Sequence, residues 1–69
     1  MAAGVAKVIE VTAGSSKGIE DAVQSGLKKV AKTVRNIKGA WINDINVVTS
    51  DDGKVTEWRV NMKVTFLIS

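Results

Sequence analysis

Trp41 stands in GAWINDINV, residues 39–47, within a chain that has two Trp, one Phe and no Tyr. A large aromatic among Asn and Asp either packs a core or offers a flat face on which a planar ligand stacks. Both readings stay open on the residues alone. One continuous strand register points Trp41 with Ile45 and Val47 into the core, and a bulge would turn it outward. Trp58 shares a strand face with Val60 and Met62 and is expected in the core. Asp51 and Asp52, in SDDGK, carry the carboxylates that calcium prefers, but the loop is too short to enclose an ion alone. An ordinary turn is the simpler reading of these residues.

Nucleophilic catalysis needs a general base or a thiolate, and the chain contains no His and no Cys. Ser15 and Ser16 precede a helical pattern and are expected to cap it. AGSSKG lacks the spacing and the Lys-Ser/Thr ending of a phosphate-binding P-loop. An enzyme is therefore not expected. Lys28, Lys32 and Arg35 fall on one side of the helical pattern, with Lys29 and Lys38 nearby. No aromatic residues interleave with them as a single-strand platform requires. They read as a solvated face that complements the negative helix end, so no nucleic-acid partner is expected.

These residues need a scaffold, and 69 residues make one domain over 1–69. A chain this short buries only roughly 60% of its unfolded surface, so its own core is marginal. Without Cys or His, disulfides and the usual structural zinc are excluded. Self-association is the remaining reinforcement. With 45% hydrophobic and 25% charged residues the chain is expected to fold, and a formal charge of +3 is too small to imply a polyanionic partner. The start, MAAGVAKV, does not read as a secretory signal, and no stretch approaches a membrane span, so a cytoplasmic protein with no membrane partner is expected.

The elements follow from periodicity. VAKVIEVT, residues 5–12, puts Val5, Ile9 and Val11 on one face and Val8, Glu10 and Thr12 on the other, as a strand does. Ile19, Ala22, Val23, Gly26, Leu27, Val30, Ala31, Val34 and Ile37 keep the spacing of one helical face, which predicts a helix over about 17–38 with Gly39 as its stop. The small residues Ala22 and Gly26 let a sheet approach closely. Two strands follow, joined by a tight turn at TSDDG. A β-α-β-β order makes the first two strands parallel in direction, so the third lies between them, antiparallel to both. The predicted fold is α+β, a three-stranded antiparallel sheet of order 1-3-2 packed on one long helix. Trp58, Val60, Met62, Val64 and Phe66 should meet the helix, leaving Arg59, Asn61 and Lys63 on the second face. That face and the two edge strands are what a neighbouring copy would cover, with closed symmetry.

The chain resembles the dodecins over essentially its whole length: KVIEVTAGSSKGIEDAV leads into the helix, and the hairpin ends in WRVNMKVTF. The resemblance implies a hollow homododecamer that sequesters a flavin (FMN, FAD or riboflavin) without turnover. It also implies that a Trp at the start of the second strand stacks on the isoalloxazine ring while a Gln of the third strand bonds its polar edge. The matching positions are Trp41, or its neighbour Ala40, and Arg59. Arg59 replaces an amide that donates and accepts with a cation that only donates, suited to a carbonyl or phosphate. GKVTEWRV is also similar to a dodecin subgroup associated with calcium, which makes a cation held by carboxylates such as Asp51 and Asp52 the alternative ligand.

Overall fold

The computed structural model describes residues 4–68. Strand β1 covers Val5–Ser15, helix α1 Ile19–Ala31, strand β2 Ile37–Thr49 and strand β3 Val55–Ile68. The strands form one sheet in the order β1-β3-β2, with β3 antiparallel to both neighbours. This is the predicted architecture.

The core forms where the alternation of β3 meets the stripe of α1. Val60, Met62 and Val64 are fully buried with Ala22 of the helix, and Ile9, Val11, Ala13, Val23, Leu27 and Val30 pack around them. Gly26 explains how the helix comes so close. A Cβ added there would lie 2.7 Å from the Ala13 Cβ and 3.0 Å from the Met62 Cε, so only hydrogen fits at that crossing. Trp58 lies on the same face of β3, paired with Ser15 and Val47, but at its margin and only half-buried.

Two expectations about the helix are corrected. It ends at Ala31 rather than Lys38. The last turn tightens, with the Thr33 and Val34 N–H groups both donating to the Val30 carbonyl (3.0 and 2.9 Å), and Asn36 then takes φ 64°. Asn tolerates this left-handed conformation. The Leu67 N–H donates to the Asn36 carbonyl (3.1 Å), which draws the chain onto the sheet. Ile37 therefore pairs with Phe66 inside β2, and Gly39, expected to stop the helix, pairs with Thr65. At the other end Gly18, not Ser15 or Ser16, occupies the N-cap, and no side chain caps it. The Ser15 hydroxyl instead donates to Asp21 Oδ2 (2.6 Å) and accepts the Lys17 N–H (2.9 Å), which binds the β1–α1 turn to the first helical turn.

Helix α1 packs on β1 and β3 and hardly touches β2. The chain is accordingly long, 52 × 20 × 16 Å, with a radius of gyration of 14.2 Å. A rounded domain of this length would have roughly 11 Å. Its accessible surface of 5128 Å² also exceeds the roughly 4,200 Å² typical of a monomer of this mass. Among the described residues no helix is long and apolar enough to cross a membrane.

Candidate functional site

Directly paired residues of neighbouring strands point to the same side of a sheet, so the register assigns every side chain a face. The side away from α1 carries Glu57, Arg59, Asn61, Lys63, Thr65 and Leu67 from the middle strand, as predicted for the odd-numbered residues. The decisive feature is β2. Its register slips by one residue between Ile37 and Gly39 and again between Ile42 and Asp44. Ile37, Ile45 and Val47 face the helix side in the odd phase, while between the two bulges the phase is inverted. Ala40 and Ile42 turn toward the helix side, opposite Val64 and Met62, and Trp41 turns outward, opposite Lys63.

Within the chain Trp41 thus points away from the core. The core placement is overturned: the indole is 67% exposed. Its neighbour Ala40, by contrast, is half-buried against the core. Beside Trp41 lies a shallow groove of about 320 Å³ lined by Lys38, Gly39, Ala40, Trp41 and Thr65.

The next rows of the outer face are polar and ordered. The Asn43 amide donates to Asn61 Oδ1 (3.1 Å), and the Asn61 amide donates to Thr12 Oγ1 (3.1 Å), so one ladder crosses all three strands. Asn43 is the residue extruded at the second bulge, and its bond to Asn61 fixes the strand just below Trp41. Arg59 lies one row further, paired with Gly14 and Asn46, and its Nε is 3.1 Å from Glu57 Oε1. Arg59 thus shares a face with Trp41 but is not beside it. Four residues along β3 separate Arg59 from Lys63, about 13 Å. The cation beside Trp41 is Lys63. Counting back from the hairpin would have found it only with the positions of the bulges known.

Asp51 and Asp52 occupy the β2–β3 hairpin, which the Ser50 N–H closes onto the Lys54 carbonyl (2.8 Å). Gly53 supplies φ 87°, open to glycine without strain. The Ser50 hydroxyl and the Lys54 N–H (3.3 Å) both donate to Asp52 Oδ1, and these bonds hold the Asp52 carboxyl below the usual range. That carboxylate is occupied by its own turn. Among the described residues no three acidic, His or Cys side chains gather as a metal site requires. Lys28, Lys29 and Lys32 line an open surface with Ser25, and Arg35 lies beyond the helix end.

The dodecin family model matches residues 5–69. The chain belongs to the dodecin family. Among solved structures, a variant of the dodecin of Thermus thermophilus superimposes with a TM-score of 0.89 at 28% identity, covering 97% of this chain and 98% of that one. The dodecin of Streptomyces coelicolor gives 0.91 at 25% identity, covering 100% and 97%. A Mycobacterium tuberculosis calcium dodecin, described as a calcium-chelating antigen with a novel calcium-binding site, gives 0.80 at 23% identity over 94% and 91%, which speaks to fold alone. No match was found among curated protein sequences. Dodecin membership and fold support a small-ligand binding and storage protein.

Proposed function

We propose that the chain assembles into a closed homo-oligomer, a dodecamer, that stores a planar aromatic ligand of the flavin class, with Trp41 as the stacking surface. The observation that carries this reading is the outward turn of Trp41. Two bulges and an inter-strand amide bond hold a largely exposed indole beside an open groove on a polar face. A side chain of this size in water loses the burial that normally favours it, roughly 2 kcal/mol, unless something covers it. The excess surface and the bare helix-side face of β2 support assembly, as does the oligomeric habit of the family.

The reading assigns Trp41 to stacking and leaves Arg59, fixed by Glu57, to meet a polar edge presented by another copy. It involves no turnover: the ligand is held and released unchanged, as the storage role of the family supports. Quenching of riboflavin fluorescence by the purified protein, lost in Trp41→Ala with the particle intact, is the expected result. Undiminished fluorescence at excess protein overturns it. A chelator-sensitive rise in melting temperature with calcium would replace it by the calcium reading, whose ligands Asp51 and Asp52 would need help from a second copy.

A further inference from the structure

The exposed side of α1 is surface that the stacking reading leaves unused. Residues 22–43 hold five of the ten Lys and Arg, at positions 28, 29, 32, 35 and 38, and none of the seven Asp and Glu. A net charge of +3 conceals this, because the remainder of the chain is net negative. All five cations are exposed, and among the described residues the ion pair is Arg59–Glu57, on the opposite side of the sheet. The register explains why no strand neutralises them. Glu10, Asp44 and Glu57 point to the outer face, and Asp51 and Asp52 sit in the hairpin. The helix's own acids, Glu20 and Asp21, are in its first turn, where Asp21 accepts the Ser15 hydroxyl. One turn before Lys28 and Lys29 stand Gln24, Ser25 and Gly26, so neither lysine has an acid at the spacing of a helical ion pair. Lys28 and Lys32 are themselves a like-charge pair at that spacing, which weakens a helix. The field of the helix end favours cations in the last turn, but it accounts neither for stacking Lys32 over Lys28 nor for Arg35 beyond it. A charge pattern that costs the helix and is unanswered within the chain serves something outside it.

We propose that this basic face of α1 binds the phosphate backbone of a nucleic-acid duplex without reading its sequence. The proposal is independent of the stacking reading. Lys28, Lys29 and Lys32 border an open depression of about 480 Å³ with the Ser25 hydroxyl. Lys28 and Lys32 are about 6 Å apart along the helix, and Arg35 follows within about 10 Å. Over roughly 16 Å a duplex presents about five phosphates on the facing strand, a match for these four cations. The missing aromatics exclude stacking on unpaired bases, which a duplex does not need. A bilayer fits less well, because Ile19, Val23, Leu27 and Val30 all pack on the sheet and none is left to enter hydrocarbon. Burying unpaired ammonium groups against a second copy is costly, so the face stays at the surface of an assembly. There it recurs on every copy, and a duplex that spans two copies gains by avidity.

The test is the fluorescence anisotropy of a labelled random-sequence DNA duplex titrated with the assembled full chain. Four phosphate contacts predict that affinity falls on the order of a hundredfold between about 50 and 200 mM salt. Combining Lys28→Gln with Lys32→Gln should weaken binding at low salt and reduce that fall to on the order of tenfold. The same double variant should melt no lower than the unmodified protein, since it removes a repulsive pair. Combining Lys17→Gln with Lys54→Gln takes away equal charge elsewhere and should leave binding nearly unchanged. Unchanged anisotropy at low salt overturns the proposal, and so does an equal loss in the two double variants, which would reduce the effect to net charge. Tighter binding to vesicles of phosphatidylcholine and phosphatidylserine than to the duplex at the same salt overturns it in favour of a lipid surface.

Discussion

Val60, Met62 and Val64 of β3 are fully buried, whereas Ile42, Ile45 and Val47 of β2, on the same side of the same sheet, are 42%, 55% and 41% exposed. The residue types are alike, and all six side chains point to the helix side. What differs is cover. A helix of 13 residues is about 20 Å long and 10 Å wide, enough for two strands and less than half the roughly 46 Å of a 14-residue strand. Periodicity thus states which way a side chain points, while the dimensions of the partner decide whether it is buried. In this chain the uncovered third of the sheet also carries the ligand candidate, Trp41.

The sharpest way to break the contrast is to truncate both sides of it. Met62→Ala should lower the unfolding free energy by about 3 kcal/mol, since it removes a fully buried side chain in contact with the helix. Ile45→Asp should leave the circular dichroism of the chain intact and shift its elution from the assembled particle toward smaller species. The comparison fails if Ile45→Asp unfolds the protein as Met62→Ala does, measured by denaturant titration at a fixed protein concentration.

Gly26→Ala probes how tightly the covered half is closed. Alanine is favoured over glycine in a helix by about 1 kcal/mol, but here the new methyl would sit 2.7 Å from a Cβ that is fixed to the β1 backbone and cannot rotate away. The helix must lift, so a net loss of about 1–2 kcal/mol is expected in denaturant titration. A gain in stability would show that α1 rests more loosely on β1.

On the outer face Asn61→Ala should cost less, about 1 kcal/mol or below, because its two amide bonds are in contact with water. Its more telling effect is local. Without the Asn43–Asn61 bond the second bulge loses its clamp, and Trp41 emission should broaden while global stability barely moves. A drop in stability as large as that of Met62→Ala would contradict the division into a covered core and an open face.

Much of this was legible in the sequence. The faces of β1 and β3 followed from alternation, and the order 1-3-2 followed from strand directions. The helix was overextended because Val34 and Ile37 continue the three-and-four spacing by coincidence, whereas Asn36 reverses the chain between them. The direction of Trp41 could not be read, because a bulge adds one residue without any marker in composition. Lys38 and Asn43 resemble ordinary strand residues, and each inverts the phase of what lies between them. The separation of Trp41 from Arg59 was hidden for the same reason. Distance along a sheet is counted in register, and the register depended on those two residues.

The smallest expected effect lies at the hairpin, where β2 and β3 run on past the helix, held by their own ladder and the turn. Asp52 accepts bonds from the Ser50 hydroxyl and the Lys54 N–H, which favour its charged form and lower its pKa. A carboxyl lowered in the folded state adds stability at pH above its unfolded value, about 3.9, and that stability is lost as pH falls through the lower folded value. Asp52 is fully exposed, so the contribution to the whole protein is slight and is best read at the residue itself. The carboxyl-carbon resonance of Asp52 should titrate below the ordinary aspartate range, and Ser50→Ala should move its midpoint upward. An unmoved midpoint would mean that the carboxylate is free of the turn, which would return it to the set of oxygens available to a cation.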